Sequence, residues 1–340
     1  MAAMPADEID PQAEFSDSER NLGLELVRVT EAAALAGGRW MGRGDKEGAD
    51  KAAVDAMRLM ISRVAMDGIV VIGEGEKDKA PMLYNGEEVG TGEPPKVDVA
   101  VDPIEGTTMT SRGQPGAIAV IAVSARGTMF DPGPCYYMQK IVTGPEAADV
   151  VDLNASVAEN INAVAKAKGI DVDDVTVILM DKPRHQGLIQ EVREAGARIR
   201  LISDGDVSAG ISAAKAGTGI DLLLGTGGTP EGVITAAALK CLGGTILGRL
   251  DPQSDEERKN VLDAGYDLDR ILTMEELVQG DCFFAATGIT GGELLEEVRY
   301  QKDGAITQSI VMRSRTGTVR TITAEHHWKK LMLISEIPYD

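Results

Sequence analysis

From Val175 onward the chain alternates short β-branched runs with helix-patterned stretches, and this alternation restricts the fold more than any other feature. The run VTVILM (175–180) leads to a helix from Arg184, RIRLIS (198–203) to a helix from Val207, and IDLLLG (220–225) to a helix from Glu231, before a strand near Thr245. Strands alternating with helices are joined by crossovers, so they pair in parallel as βαβ units covered on their faces.

The first half has a different rhythm. Leu22, Leu26, Val29 and Ala33 recur on one helical face that Gly37-Gly38 ends, and Ala53, Met57, Met60, Ile61 and Val64 form a second stripe closed by Gly68. IVVI (69–72), VDVAV (97–101), AIAVIAV (117–123) and 136–142 read as strands, as do 281–289, 306–313 and 317–324 near the end. The expected architecture is α/β, in two packed subdomains of residues 20–155 and 156–335, after a disordered polar tail over 1–19.

The chain carries 54 acidic against 34 basic residues, a formal net charge of −20, which argues against a nucleic-acid partner. Most of this excess is solubilising surface, although a cation-filled site also needs clustered carboxylates. Three widely spaced cysteines without a CxxC pair point to reduced thiols in a cytoplasmic protein. The N-terminal stretch has no apolar segment of a secretory signal, and no run approaches the roughly 18 apolar residues of a membrane helix.

Ligands of open α/β sheets bind beyond the carboxyl ends of strands, and three such ends carry unusual chemistry here. IVVI runs into Gly73-Glu74-Gly75-Glu76, VDVAV into Asp102-Pro103-Ile104-Glu105-Gly106-Thr107, and IDLLLG into Thr226-Gly227-Gly228-Thr229-Pro230-Glu231-Gly232. In the second, Asp102 and Glu105 lie three apart across a stiffening proline, so both carboxylates can face one site while Ile104 faces a core. Gly106 permits close backbone approach to a phosphate and Thr107 offers a hydroxyl. Hard oxygen donors of this kind suit Mg²⁺ or Mn²⁺. Neighbouring strand ends lie roughly 5 Å apart, close enough for Glu74 and Asp102 to share a cation. A solvated acidic turn is the plain alternative for each segment taken alone.

Asp50 reads equally as an N-cap of the second helix or as a metal ligand, and Asp45 competes with it. GTGGTPEG is a glycine turn into a helix, suited to an anion, where Glu231 could also simply complement the helix dipole. Asp181-Lys182-Pro183-Arg184-His185 could hold a second phosphate, and Asp204-Gly205-Asp206 could accept hydrogen bonds from sugar hydroxyls. There is no HExxH, no GxSxG elbow and no Gly-Lys pair of a Walker A loop. The three histidines therefore read as structural.

At DPIEGT the sequence resembles the lithium-sensitive, metal-dependent phosphatases. GRGDKEGADKAAVDAMR, VVIGEGEKDKAPMLYNGEEVGTG, VDPIEGTTMTSRGQ, KPRH, DGDV, GGTPEG and ATGIT together are similar to the class II, GlpX-type fructose-1,6-bisphosphatases, over about Asn21 to Glu325. The resemblance implies a layered α/β/α/β sugar-phosphatase fold, with metal ligands in the N-terminal subdomain and sugar-phosphate contacts in the C-terminal one. It implies Asp50, Glu74, Asp102, Glu105 and Glu231 as ligands of Mg²⁺ or Mn²⁺, and Thr107, supported by Glu74, as the group that orients or deprotonates the attacking water. Gly106 and Gly228 would lie against substrate, with Glu105, Thr107 and Gly205 also touching it. Tyr137 (or its neighbour Tyr136), Lys182 and Arg184 would hold the distal phosphate, and Asp204 and Asp206 the sugar hydroxyls. The wider superfamily has Asp where Glu105 stands and a late Trp-Asp motif, whose place Glu231 takes here. A soluble homo-oligomer, dimer or tetramer, acting on a small sugar bisphosphate is the implied enzyme.

Overall fold

The computed structural model describes residues 22–74 and 83–335. The expected tail over 1–19, and Gly75-Glu76 of the first acidic loop, lie outside the described residues.

Helices α1 (Leu22–Gly37) and α2 (Lys46–Ile61) come first. Then follow β1 (Asp67–Ile72), β2 (Glu88–Val89), β3 (Lys96–Glu105), α3 (Thr107–Arg112), β4 (Ile118–Ala125) and β5 (Tyr137–Thr143). The alternating region contains α4 (Val157–Lys168), β6 (Thr176–Met180), α5 (Gln186–Glu194), β7 (Arg198–Ile202), α6 (Asp206–Ala214), β8 (Leu222–Gly228), α7 (Thr229–Leu242) and β9 (Thr245–Leu250). Next come α8 (Asp255–Asp263), β10 (Leu272–Thr273), α9 (Met274–Leu277) and β11 (Cys282–Gly288). The last elements are β12 (Arg299–Gln301), β13 (Gly304–Arg313), β14 (Thr318–His327) and α10 (Trp328–Ser335).

Two sheets form. One has the order β12-β13-β11-β4-β3-β1-β2 with β14 on the outer side of β13, and the other the order β10-β9-β5-β8-β6-β7. The parallel pairing expected after Val175 holds for β6 with β7 and β8. It fails for β9, which reaches the sheet through β5, antiparallel to both β8 and β9. Local periodicity reveals a strand but not its neighbour, so β5 could not be placed from the sequence. The sheets also interleave across the 155/156 boundary. β5 lies in the second sheet, and β11 to β14 complete the first.

Three apolar clusters define the layers. Leu26, Ala33, Met57 and Ile61 of α1 and α2 pack on Val99, Ile121 and Ala285 of the first sheet. The other face of that sheet, through Ala100, Val120 and Phe284, packs on α6 and α7, which in turn cover Met138, Leu223 and Ile246 of the second sheet. The far face of the second sheet is closed by Ile161, Val164, Ile189 and Val192 of α4 and α5. The α/β/α/β layering is therefore present, with α4 and α5 adding an outer layer. Each fully buried Leu or Ile in these clusters contributes about 1.5–3 kcal/mol of transfer free energy.

Two details of this frame shape the site. β3 does not end at Val101 but runs on to Glu105, with a register shift against β4 between Asp102 and Glu105. Pro103 has no N–H to give a ladder, and the irregularity turns the two carboxylates in different directions. α2 begins at Lys46, capped by Asp45, whose side chain accepts the Gly48 N–H at 2.9 Å. Asp45 is thus the cap, and Asp50 lies within the helix, so the N-cap alternative for Asp50 is removed.

Candidate active site

The ends of β1 and β3, the turn before α6 and the starts of α2, α3 and α7 surround a cavity of about 440 Å³. Asp50, Glu74, Asp102, Glu231, Thr107 and Asp204 line it. Five segments far apart in sequence thereby bring their acids to one place.

Each carboxylate is set by its local backbone. Glu74 follows β1 directly, and its N–H donates to Leu83 O at 2.7 Å. Leu83 holds a left-handed backbone (φ 55°), unusual for a branched residue, and a Cβ at Gly73 would lie 2.0 Å from its carbonyl oxygen. Glycine at 73 therefore lets the returning chain press against the end of β1. Asp102 Oδ1 accepts the Ile104 N–H at 3.0 Å, which aims the side chain at the turn. Glu105 is 2 % exposed and does not line the cavity. Its Oε1 accepts the Val207 N–H at 3.0 Å at the start of α6. Glu231 folds back onto Gly228, where a Cβ would meet its Oε2 at 1.6 Å. A side chain at 228 would push the Glu231 carboxylate out of this position.

The acids act on one another. Burial, then the charges of Glu74, Glu105, Glu231 and Asp50, hold Asp102 well above the ordinary carboxylate range. Burial and then Asp206 do the same for Glu105, against the Val207 hydrogen bond. Glu74 is pushed up to about 7 by burial, Asp50 and Glu231. Glu231 also reaches about 7, through burial and Asp206, with Lys140 opposing. Asp50 is raised by burial. Ionised together, these groups would repel, and a divalent cation relieves that repulsion.

The donor set fits such an ion. Glu105 Oε2 and Glu231 Oε2 are buried with no hydrogen-bond partner, which is costly unless something else satisfies them. Among the described residues no three acidic, His or Cys side chains already close a ligand cage. The carboxylates of Asp50, Glu74, Asp102 and Glu231 instead line the cavity wall, as hard donors that Mg²⁺ or Mn²⁺ would draw in.

A testable consequence concerns the metal-free protein. A carboxyl whose pKa is higher folded than unfolded contributes stability that is complete below its unfolded value and lost as pH rises through the folded one. Glu74 and Glu231 titrate near 7 when folded, against about 4.3 unfolded. Tm in excess chelator should therefore fall as pH goes from 5 to 8, and saturating Mg²⁺ should flatten the decline. A Tm that is level in chelator and unchanged by Mg²⁺ would mean that these acids do not share one site.

The residues expected at the substrate separate into groups. Gly106, at φ 96°, precedes Thr107, the first residue of α3, at the cavity edge. Asp204 lines the cavity, and Gly205 (φ 86°) sits 3.4 Å, by its missing Cβ, from Glu105 Oε2. Asp206 has a partner within the fold. It is 7 % exposed and its Oδ2 is 2.5 Å from Lys140 Nζ. The same ammonium donates to Gly228 O at 2.9 Å. Asp206 thus serves as the counter-ion of a buried lysine, because β5 brings Lys140 under the ends of β8 and α6. Tyr137 pairs with Gly228 across β5 and β8, and the Arg184 guanidinium lies 5.0 Å from its ring centre. Tyr136 is 63 % exposed. Of the two tyrosines, Tyr137 is the one that lies beside Gly228 and Arg184. Lys182 lies two residues before Arg184 in the same turn, and neither lines the acidic cavity.

Three residues at or near the site escaped the sequence. Lys46 lines the cavity and donates to Thr108 Oγ1 at 2.7 Å; its signal was the concentration of glycine and charge over 42–46. Lys140 in strand β5 and His185 carried only weak signals, a charge inside an apolar strand and a histidine beside KPR.

This arrangement, acids lining one cavity at the strand ends of an α/β fold, is that of a phosphoric monoester hydrolase. The family model for bacterial fructose-1,6-bisphosphatase, glpX-encoded, matches residues 20–326. The chain belongs to that family. It is 45 % identical over 343 residues to the D-fructose 1,6-bisphosphatase class 2/sedoheptulose 1,7-bisphosphatase of Synechococcus elongatus, covering 93 % of this chain and 99 % of that one. It is 46 % identical over 334 residues to the protein of the same name from Crocosphaera subtropica, covering 91 % and 96 %. Among the described residues no helix is long and apolar enough to cross a membrane.

Proposed function

We propose that this chain hydrolyses the 1-phosphate of D-fructose 1,6-bisphosphate, giving fructose 6-phosphate and inorganic phosphate, with Mg²⁺ or Mn²⁺ held by Asp50, Glu74, Asp102, Glu231 and, from behind, Glu105. The observation that carries this reading is the convergence of Asp50, Glu74, Asp102 and Glu231 on one cavity that Thr107 also lines, with Glu105 close enough to raise the pKa of Asp102.

Phosphoryl transfer asks mainly for positioning and charge neutralisation. Divalent cations, when bound, neutralise the phosphoryl oxygens and acidify the attacking water. The chain supplies the rest. The Thr107 hydroxyl, at the edge of the cavity near Glu74, orients the water and receives its proton on the way to a carboxylate. Gly106 and Gly228 let the backbone approach the sugar phosphate, and Asp204 accepts from a sugar hydroxyl. Arg184 and Lys182, with Tyr137 beneath Arg184, hold the distal phosphate and so fix which end is cut. No covalent phosphoenzyme is needed. A homo-oligomer, as the resemblance implies, completes this reading.

A second substrate is favoured by the name that both relatives share, which includes sedoheptulose 1,7-bisphosphatase. Phosphate release from fructose 1,6-bisphosphate, sedoheptulose 1,7-bisphosphate and inositol 1-phosphate, each with Mg²⁺, with Mn²⁺ and without metal, tests the assignment. Metal-dependent turnover of fructose 1,6-bisphosphate, alone or together with sedoheptulose 1,7-bisphosphate, supports it, and turnover of sedoheptulose 1,7-bisphosphate alone or preference for inositol 1-phosphate would sink it.

A further inference from the structure

The two residues at the end of the 183–185 turn clasp a single residue of the neighbouring strand. His185 is 3 % exposed, and its Nε2 accepts the Thr226 N–H at 2.9 Å. An Nε2 that accepts places the ring proton on Nδ1, which donates to Met180 O at 2.8 Å. Both ring nitrogens are therefore committed, and the tautomer of the neutral imidazole is set. Burial holds the ring's pKa below its ordinary value, in keeping with the neutral form. Arg184, the preceding residue, donates from Nε and Nη2 to Thr226 O at 3.0 and 2.8 Å.

Strand order explains why Thr226 needs this clasp. β6 and β8 pair only at Val177 with Leu222 and at Ile178 with Leu223. Beyond that register β8 continues through Thr226 to Gly228 without a ladder to β6, and the backbone groups of Thr226 on that side would lack partners. His185 and Arg184 supply them. Gly225 makes room, since a Cβ there would stand 3.1 Å from ring Cε1 and Nε2. The Thr226 hydroxyl is tied down as well, donating to Asp251 Oδ2 at 3.0 Å. Over the other edge of β8, the Arg184 guanidinium lies 5.0 Å from the Tyr137 ring centre. Its Nη1 carries no hydrogen bond among the described residues.

We propose that His185 is a positioning residue for the distal-phosphate arm: by holding the Thr226 peptide it fixes the carbonyl to which Arg184 is anchored, and thereby the guanidinium that receives the phosphate. This inference rests on the reading of Arg184 given above. It concerns binding of the remote end only, because His185 touches neither the acidic cavity nor Thr107. An arm that is already ordered loses less freedom on binding, so loosening it weakens affinity and leaves the chemical step alone.

The test measures phosphate release from fructose 1,6-bisphosphate, with product inhibition by fructose 6-phosphate, which keeps the distal phosphate, and by inorganic phosphate, which lacks the sugar. His185→Phe is expected to raise KM and the fructose 6-phosphate inhibition constant about tenfold, with kcat and the inorganic phosphate constant within about twofold. His185→Gln keeps an acceptor near the Nε2 position and should restore most of the affinity, whereas His185→Asn, which reaches only toward Met180, should not. If the Phe variant fails to fold, the Gln–Asn contrast decides alone. Arg184→Ala should raise the same two constants, and His185→Phe added to it should change them little further. Equal weakening of both inhibitors, full additivity with Arg184→Ala, or no difference between Gln and Asn would overturn the role of His185. An Arg184→Ala variant with unaltered fructose 6-phosphate inhibition would instead overturn the reading of the arm itself, and the inference with it.

Discussion

Thr107→Ala should lower kcat on fructose 1,6-bisphosphate by roughly 10²- to 10⁴-fold, the range typical of losing a positioned proton-transfer group, while the concentration of Mg²⁺ or Mn²⁺ giving half-maximal activation stays within about twofold. Of the two adjacent threonines, only Thr107 lines the acidic cavity. The Thr108 hydroxyl is engaged by Lys46 at 2.7 Å. Gly106, with φ 96°, starts the short helix α3 in a conformation few other residues adopt, and so sets where the Thr107 side chain emerges. Thr107→Ser keeps the hydroxyl and should retain most of the activity, whereas Thr107→Val keeps the shape and should not. Steady-state kinetics on the three variants distinguish a chemical from a packing role. Valine as active as serine would remove Thr107 from the chemistry.

Asp102→Asn should separate activity from stability. Turnover is expected to drop by about 10³-fold or more, the scale of losing much of the charge stabilisation at a phosphoryl-transfer site. The metal-free protein should at the same time melt about 2–4 °C higher. Asp102 is held far above its ordinary pKa by burial and four neighbouring acids, so in the absence of metal this carboxyl is a cost to the fold that rises with pH. Asparagine removes the charge and keeps an oxygen for the Ile104 N–H, which Asp102 Oδ1 accepts at 3.0 Å. Adding Mg²⁺ should then stabilise the wild type more than the variant, because binding to the native state alone shifts unfolding by mass action. Differential scanning calorimetry in chelator and in Mg²⁺ reads both effects. A variant less stable than wild type in chelator would show that Asp102 is satisfied without a cation.

How much of this was legible in the sequence depended on whether the signal was local. α1, the β6–α5–β7–α6–β8–α7 run and the strand ends bearing Glu74, Asp102 and Glu231 could be read from periodicity and turn residues, because each is specified within about ten positions. Which strands become neighbours could not. β5 looked like any other apolar run, yet it carries Lys140 into the floor of the site and Tyr137 to its edge. The pairing of Asp206 with Lys140 was hidden for the same reason, since the two lie 66 residues apart. Glu105 was expected to point with Asp102, and the register shift in β3 turned it toward α6 instead. The start of α2 was placed too late because its apolar stripe, read from Ala53, begins about two turns after the cap at Asp45. His185 looked structural, and its clasp on Thr226 emerged only from the short register between β6 and β8.

The claim on which the rest depends is that the clustered carboxylates work only with a divalent cation among them. The most direct measurement is phosphate release from fructose 1,6-bisphosphate by protein stripped of metal, first in excess chelator and then titrated with Mg²⁺ or Mn²⁺. No turnover in chelator and a saturable recovery on titration is the predicted result. Full activity in chelator, unchanged by either ion, would contradict it.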